Sequence, residues 1–77
     1  MSGSNQFAVV GYDKDNDVYE VFYQNLTYSH AVSMAKWLDN LLVQGKLRRK
    51  DNHEPIDWIE VYEGWNSDAE KRVWGVS

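Results

Sequence analysis

Thr27-Tyr28-Ser29-His30-Ala31-Val32-Ser33-Met34-Ala35-Lys36-Trp37-Leu38-Asp39-Asn40-Leu41-Leu42-Val43-Gln44-Gly45 is the stretch that decides the architecture. From Tyr28 to Gln44, the apolar residues Ala31, Met34, Ala35, Leu38, Leu41 and Leu42 recur at three- and four-residue spacing, which draws one stripe along an amphipathic helix. Ser29, Ser33, Lys36, Asn40 and Gln44 fall on the opposite side. Thr27 is the expected N-cap, its hydroxyl accepting from a first-turn amide that has no partner inside the helix. Leu26, just before it, is placed to staple onto Ala31. Gly45 supplies a left-handed stop, and Lys46, Arg48 and Arg49 beyond it complement the negative end of the helix. A single helix with one apolar stripe requires a flat apolar partner, and the flanking sequence reads as strands.

Phe7-Ala8-Val9-Val10-Gly11-Tyr12 and Val18-Tyr19-Glu20-Val21-Phe22-Tyr23 are short, β-branched and aromatic, and enclose the polar turn Asp13-Lys14-Asp15-Asn16-Asp17. That is the pattern of an antiparallel hairpin. After the helix, Asp51 to Pro55 reads as a loop and Ile56-Asp57-Trp58-Ile59-Glu60-Val61-Tyr62-Glu63 as a third strand. Gly64 to Glu70 reads as a turn. Arg72 to Val76 is a short, glycine-containing fourth strand that belongs at a sheet edge. The expected fold is α+β, ββαβ(β), with a mostly antiparallel sheet of three to four strands and the helix packed on one face. Residues 7–77 form a single domain. Residues 1–6, small and polar with no apolar h-region, are expected to be a flexible tail rather than a signal peptide.

Composition narrows the function classes. The 77 residues include four tryptophans, five tyrosines and two phenylalanines, and no cysteine. Each ring carries about 150–250 Å² of buriable surface, more than one small core readily hides. Without cysteine there is no disulfide or thiolate metal site, which fits a reducing cytoplasm. No apolar run approaches the ~20 residues of a membrane span. Eight lysines and arginines against twelve acids leave a net charge of −4, an unfavourable balance for phosphate contact.

One helix covers only one face of a sheet. In the third strand Ile59 and Val61 share a face, and Trp58, Glu60 and Tyr62 share the other, which Glu60 marks as the uncovered one. By the same alternation Glu20 places Phe22 outward. Phe22, Trp58 and Tyr62 are therefore the candidate partner-binding residues. Alternatively, the C-terminal segment folds across this face and covers it with Trp65 and Trp74. Trp37, at the flank of the helical stripe beside His30 and Leu41, either packs on a sheet edge or anchors a partner.

The remaining motifs carry little chemistry. Asp13-x-Asp15-x-Asp17 matches the opening of a calcium loop, but Val18 and Gln24 stand where such a loop needs glycine and glutamate, so a hairpin turn is expected. Lys46, Arg48, Arg49 and Lys50 form the one basic cluster; they are candidate phosphate contacts in a nucleic-acid reading and otherwise serve the helix end. His30 and His53 have no cysteine to complete a metal set. Asp57 and Glu63 share a strand face but lie about 20 Å apart, too far for a carboxylate dyad. Asn25-Leu26-Thr27 matches a glycosylation sequon and is read instead as a strand end plus a cap. No nucleophile elbow, triad or phosphate-binding glycine loop is present. No cofactor, no metal and no enzymatic activity are expected.

The hairpin, the Tyr28-Ala31-Ala35 helix, its lysine-rich stop and the Asp57-Trp58-Ile59-Glu60-Val61-Tyr62 strand together resemble small orphan ββαβ(β) proteins of Gram-positive bacteria and their prophages. The resemblance spans most of the chain, implies a cytoplasmic accessory or phage-derived protein, and brings no activity with it. The expected function is a small non-enzymatic interaction module that binds another protein or itself, possible homodimerisation included. The alternative is a nucleic-acid-binding accessory protein using the basic loop 46–50 and exposed aromatics.

Overall fold

The computed structural model describes residues 6–49 and 53–75. Strands β1 (Phe7–Asp13) and β2 (Val18–Leu26) precede helix α1 (Tyr28–Val43), and β3 (Trp58–Glu63) and β4 (Lys71–Gly75) follow it. They form one antiparallel sheet of order β2-β1-β3-β4, an α+β arrangement with the helix on one face.

The helix ends are set as the residues dictate. The Thr27 hydroxyl accepts from the His30 amide at 3.3 Å. At the other end Gly45 adopts φ 73°, and the amides of Gly45 and Lys46 donate back to the carbonyls of Leu42 and Leu41 at 3.0 and 2.9 Å. These two reverse bonds form a Schellman motif, which satisfies carbonyls the helix itself leaves unpaired. Ala31, Ala35 and Leu38 face the sheet and pack with Val9, Ile56, Ile59 and Val61 into the buried core. The two alanines carry little side-chain bulk, so the helix backbone lies close over β1 and β3.

Several boundaries differ from the sequence reading. β2 runs on to Leu26, and its register with β1 shifts between Phe7 and Val9 and again between Val9 and Val10. β3 starts at Trp58 instead of Ile56: Pro55 bridges to Arg48, the Asp57 amide donates to the Tyr12 carbonyl at 2.8 Å, and Ile56 turns into the core. β4 is an edge strand and begins one residue earlier than expected, at Lys71; Val76 lies outside the described residues, as do residues 1–5 and 50–52. Gln6, expected in the tail, is tied to the body: its carbonyl accepts from the Gly64 amide at 2.9 Å, and its side-chain amide donates to Glu63 at 2.7 Å.

One face assignment is corrected. Phe22 packs on the helix-side core, not on the uncovered face. Glu20 pairs with Gly11, which sits on the same strand face as the core residue Val9. Glu20 misled because β2 is an edge strand, and a half-buried acid there reaches water from the covered face.

Candidate functional site

The face of the sheet away from the helix is built by strand alternation. β1 presents Ala8, Val10 and Tyr12, β3 presents Trp58, Glu60 and Tyr62, and β2 adds Tyr19 and Val21. Cross-strand register sets Tyr12 between Tyr19 and Trp58, Val10 between Val21 and Glu60, and Ala8 beside Tyr62. Ala8 and Val10 are small and completely covered. The rings lie above them as a roof.

That roof is continuous. Ring centroids lie 4.9 Å apart for Tyr12 with Tyr19 and for Tyr12 with Trp58. From the turn after β3, Trp65 folds in against Tyr62 at 5.0 Å and Tyr19 at 5.6 Å, and Tyr19 meets Tyr62 at 6.2 Å. The last three contacts are steeply inclined, at 63–85°, the edge-to-face geometry that aromatic quadrupoles favour.

Under the roof lies a carboxylate. Glu60 is only 3% exposed, although it stands on the uncovered face as its sequence position implies. One oxygen accepts from the Trp58 indole N–H and from Arg72 Nη1, both at 3.0 Å; the other accepts from the Tyr62 hydroxyl at 2.9 Å. Three donors, one of them a cation, make its burial tolerable, since an unpaired buried charge would be costly. Burial pushes the Tyr62 phenol well above the ordinary tyrosine range, with the hydrogen bonds to Tyr19 and Glu60 adding to the effect. The Tyr12 hydroxyl donates to Asp17, and chiefly through that bond its pKa is pushed up to about 12. The polar ends of Tyr12, Trp58 and Tyr62 are therefore already engaged within the fold. What they offer to solvent is ring carbon, with Tyr19, 45% exposed, the most open of the cluster.

Of the residues the sequence pointed to, Trp58 and Tyr62 belong to this face. Phe22 does not, and Trp37 stands apart on the helix layer, 51% exposed. The two C-terminal tryptophans divide: Trp65 joins the outer rings, while Trp74 pairs with Val61 and packs on the helix side. Tyr12, Tyr19 and Arg72 were not singled out beforehand, and Trp65 was named only as a cover for this face. Tyr12 and Tyr19 were legible, since hairpin pairing across residues 14–17 sets them opposite each other. Arg72 was not, because the register of β4 shifts between Val61 and Tyr62.

The described residues of the basic cluster are engaged in different ways. Arg49 turns inward to Asp13, Nη1 to Oδ2 3.1 Å, where both side chains are largely buried. It does not serve the helix end. Arg48 takes part in the backbone bridge to Pro55, Lys46 closes the helix, and Lys50 lies outside the described residues. The aspartates of the hairpin turn also diverge. Asp13 is buried and accepts from the Asn16 side chain at 2.6 Å as well as from Arg49, and these bonds hold its carboxyl below the usual range against the opposing effect of burial. Asp17 is taken by Tyr12. Among the described residues no group of three or more His, Asp or Glu side chains is placed to hold a metal ion, and no helix is long and apolar enough to cross a membrane. Comparison with protein-family models, curated proteins and solved structures finds no match to this chain.

Proposed function

We propose that the chain is a small non-enzymatic interaction module of the cytoplasm that binds another protein, or a second copy of itself, through the outer aromatic face. The observation that carries this reading is the inward engagement of the polar groups of Trp58, Tyr62 and Tyr12. With the polar groups of these three residues spent internally, the surface contributes to binding mainly by burying ring carbon, at about 25 cal/mol per Å² removed from water. Its rings are fixed by one another, so little side-chain entropy is lost when a partner covers them. An accessory role of the kind suggested by the resemblance to small prophage proteins fits such a surface.

The nucleic-acid alternative has weaker support, since it asks Arg49 to leave a buried aspartate for a phosphate. Titration with random DNA and RNA at about 50 mM salt is expected to be flat. The interaction reading is tested by light scattering at micromolar concentration, together with capture from the native host using the parent and Tyr19→Ser as baits. A dimer, or a captured protein, that disappears with Tyr19→Ser supports it. A monomer whose captured proteins are the same for both baits contradicts it.

A further inference from the structure

The sheet end where β1 begins holds a cleft of about 310 Å³. Gln6, Phe7, Gln24, Asn25, Trp65 and Ser67 are among its lining residues, which come from the start of β1, the end of β2 and the turn after β3. None of the described lining residues is charged. Its polar side-chain groups are three carboxamides, one hydroxyl and the indole N–H of Trp65, whose ring is also its largest apolar element.

These groups differ in how far they are already used. Ser67 donates to the Gly64 carbonyl at 2.6 Å and accepts from the Ala69 amide at 3.2 Å, so it mainly shapes the turn. Gln6 donates to Glu63 and keeps its side-chain carbonyl as an acceptor. The carboxamides of Gln24 and Asn25 have no partner among the described residues. Asn25 sits at φ 63°, a left-handed conformation that breaks the line of β2 beside the cleft. Trp65 is held in place by Tyr19 and Tyr62.

We infer that this cleft binds a neutral sugar ring, with a C–H face against Trp65 and hydroxyls on the carboxamides of Gln24 and Asn25. A charged ligand would lose hydration there without gaining a counter-charge. A nucleotide would bring a phosphate to a wall that has no lysine or arginine among its described residues. A pyranose has what the lining complements: an apolar face, a rim of hydroxyls that both donate and accept, and no charge. Carboxamides likewise donate and accept at once. The volume lies at the lower limit of small-ligand sites, about 300 Å³ and upward, and suits one or two sugar rings. The site adjoins the docking face and shares Trp65 and the covered Ala8 with it.

The test is an NMR titration of the full chain with glucose, N-acetylglucosamine, maltose and cellobiose, with a nucleoside and a neutral dipeptide as further arms. At least one sugar is expected to shift the Trp65 indole and the Gln24 and Asn25 carboxamide signals saturably, with a millimolar Kd, while the Trp37 indole stays unmoved. Trp65→Ala should abolish the shifts. Gln24→Ala, on an exposed edge, leaves the fold intact and should weaken binding roughly three- to tenfold, the value of one net hydrogen bond. The inference is overturned if no sugar produces a saturable shift, if Trp37 moves as much as Trp65, if Gln24→Ala binds like the parent, or if the nucleoside or dipeptide binds more tightly than every sugar.

Discussion

Gly11 and Phe22 meet on the helix-covered face, where a Cβ on Gly11 would lie 2.6 Å from the Phe22 ring. Ile56 closes the same space, its Cγ2 atom 2.9 Å from that position. The missing side chain on β1 makes room for a ring from the edge strand and an isoleucine from the loop before β3. This is why Phe22 belongs to the core.

Gly11→Ala should therefore overpack the core. Reduced freedom of the unfolded chain favours alanine by about 0.4–1 kcal/mol, against a typical overpacking cost of about 1–3 kcal/mol. Net destabilisation of about 1–2 kcal/mol is expected in urea unfolding at unchanged slope. A more stable variant would mean that Phe22 points elsewhere.

Leu38 is the largest helix residue in the buried core. Leu38→Ala should cost about 2–5 kcal/mol, enough to unfold much of a domain this small. Thermal melting checks it, and a midpoint near that of the parent would show the stripe to be misassigned.

The helix and the hairpin were legible because their signals are local: spacing, a cap, a stop and a polar turn. Thr27 and Gly45 act as their residue types imply. The sheet faces were only half legible. Trp58, Glu60 and Tyr62 share the uncovered face as alternation in β3 requires, but Phe22 was misplaced because an acid on an edge strand does not say which face is wet. Gly11 was the available clue, since a glycine inside a strand often marks close approach. The partnership of Glu60 with Arg72 joins separate strands across a register shift, and no local pattern encodes it.

Glu60→Ala should destabilise by about 2–4 kcal/mol, because it strands the Trp58 indole and the Tyr62 hydroxyl beneath the roof. Arg72, half exposed, regains water and adds little. Glu60→Gln should cost only about 1 kcal/mol, since its oxygen can serve Trp58 and Arg72 while its amide donates to Tyr62. Chemical unfolding of the two variants tests the ordering, and equal costs would contradict it.

Three groups link stability to pH: Asp13, Tyr12 and Tyr62. The folded pKa of Asp13 is depressed, so its contribution is present above the unfolded value of about 3.9 and is lost as pH falls through the lower folded value. The Tyr12 pKa is raised to about 12, so its contribution is complete below the unfolded value near 10 and disappears as pH climbs through about 12. Phenolate absorbance should show Tyr12 and Tyr62 ionising last. Asp17→Asn should bring Tyr12 back towards ordinary tyrosine behaviour, and an unchanged Tyr12 titration would exclude the Asp17 bond as its cause.

The docking claim is tested most directly by placing a photo-crosslinking side chain at Tyr19, in the ring cluster, and separately at Ser33, on the exposed side of the helix, in the native host. The account predicts one discrete adduct from position 19, with a second copy or with another protein, and none from position 33. No adduct from position 19, or the same adducts from both positions, would contradict it.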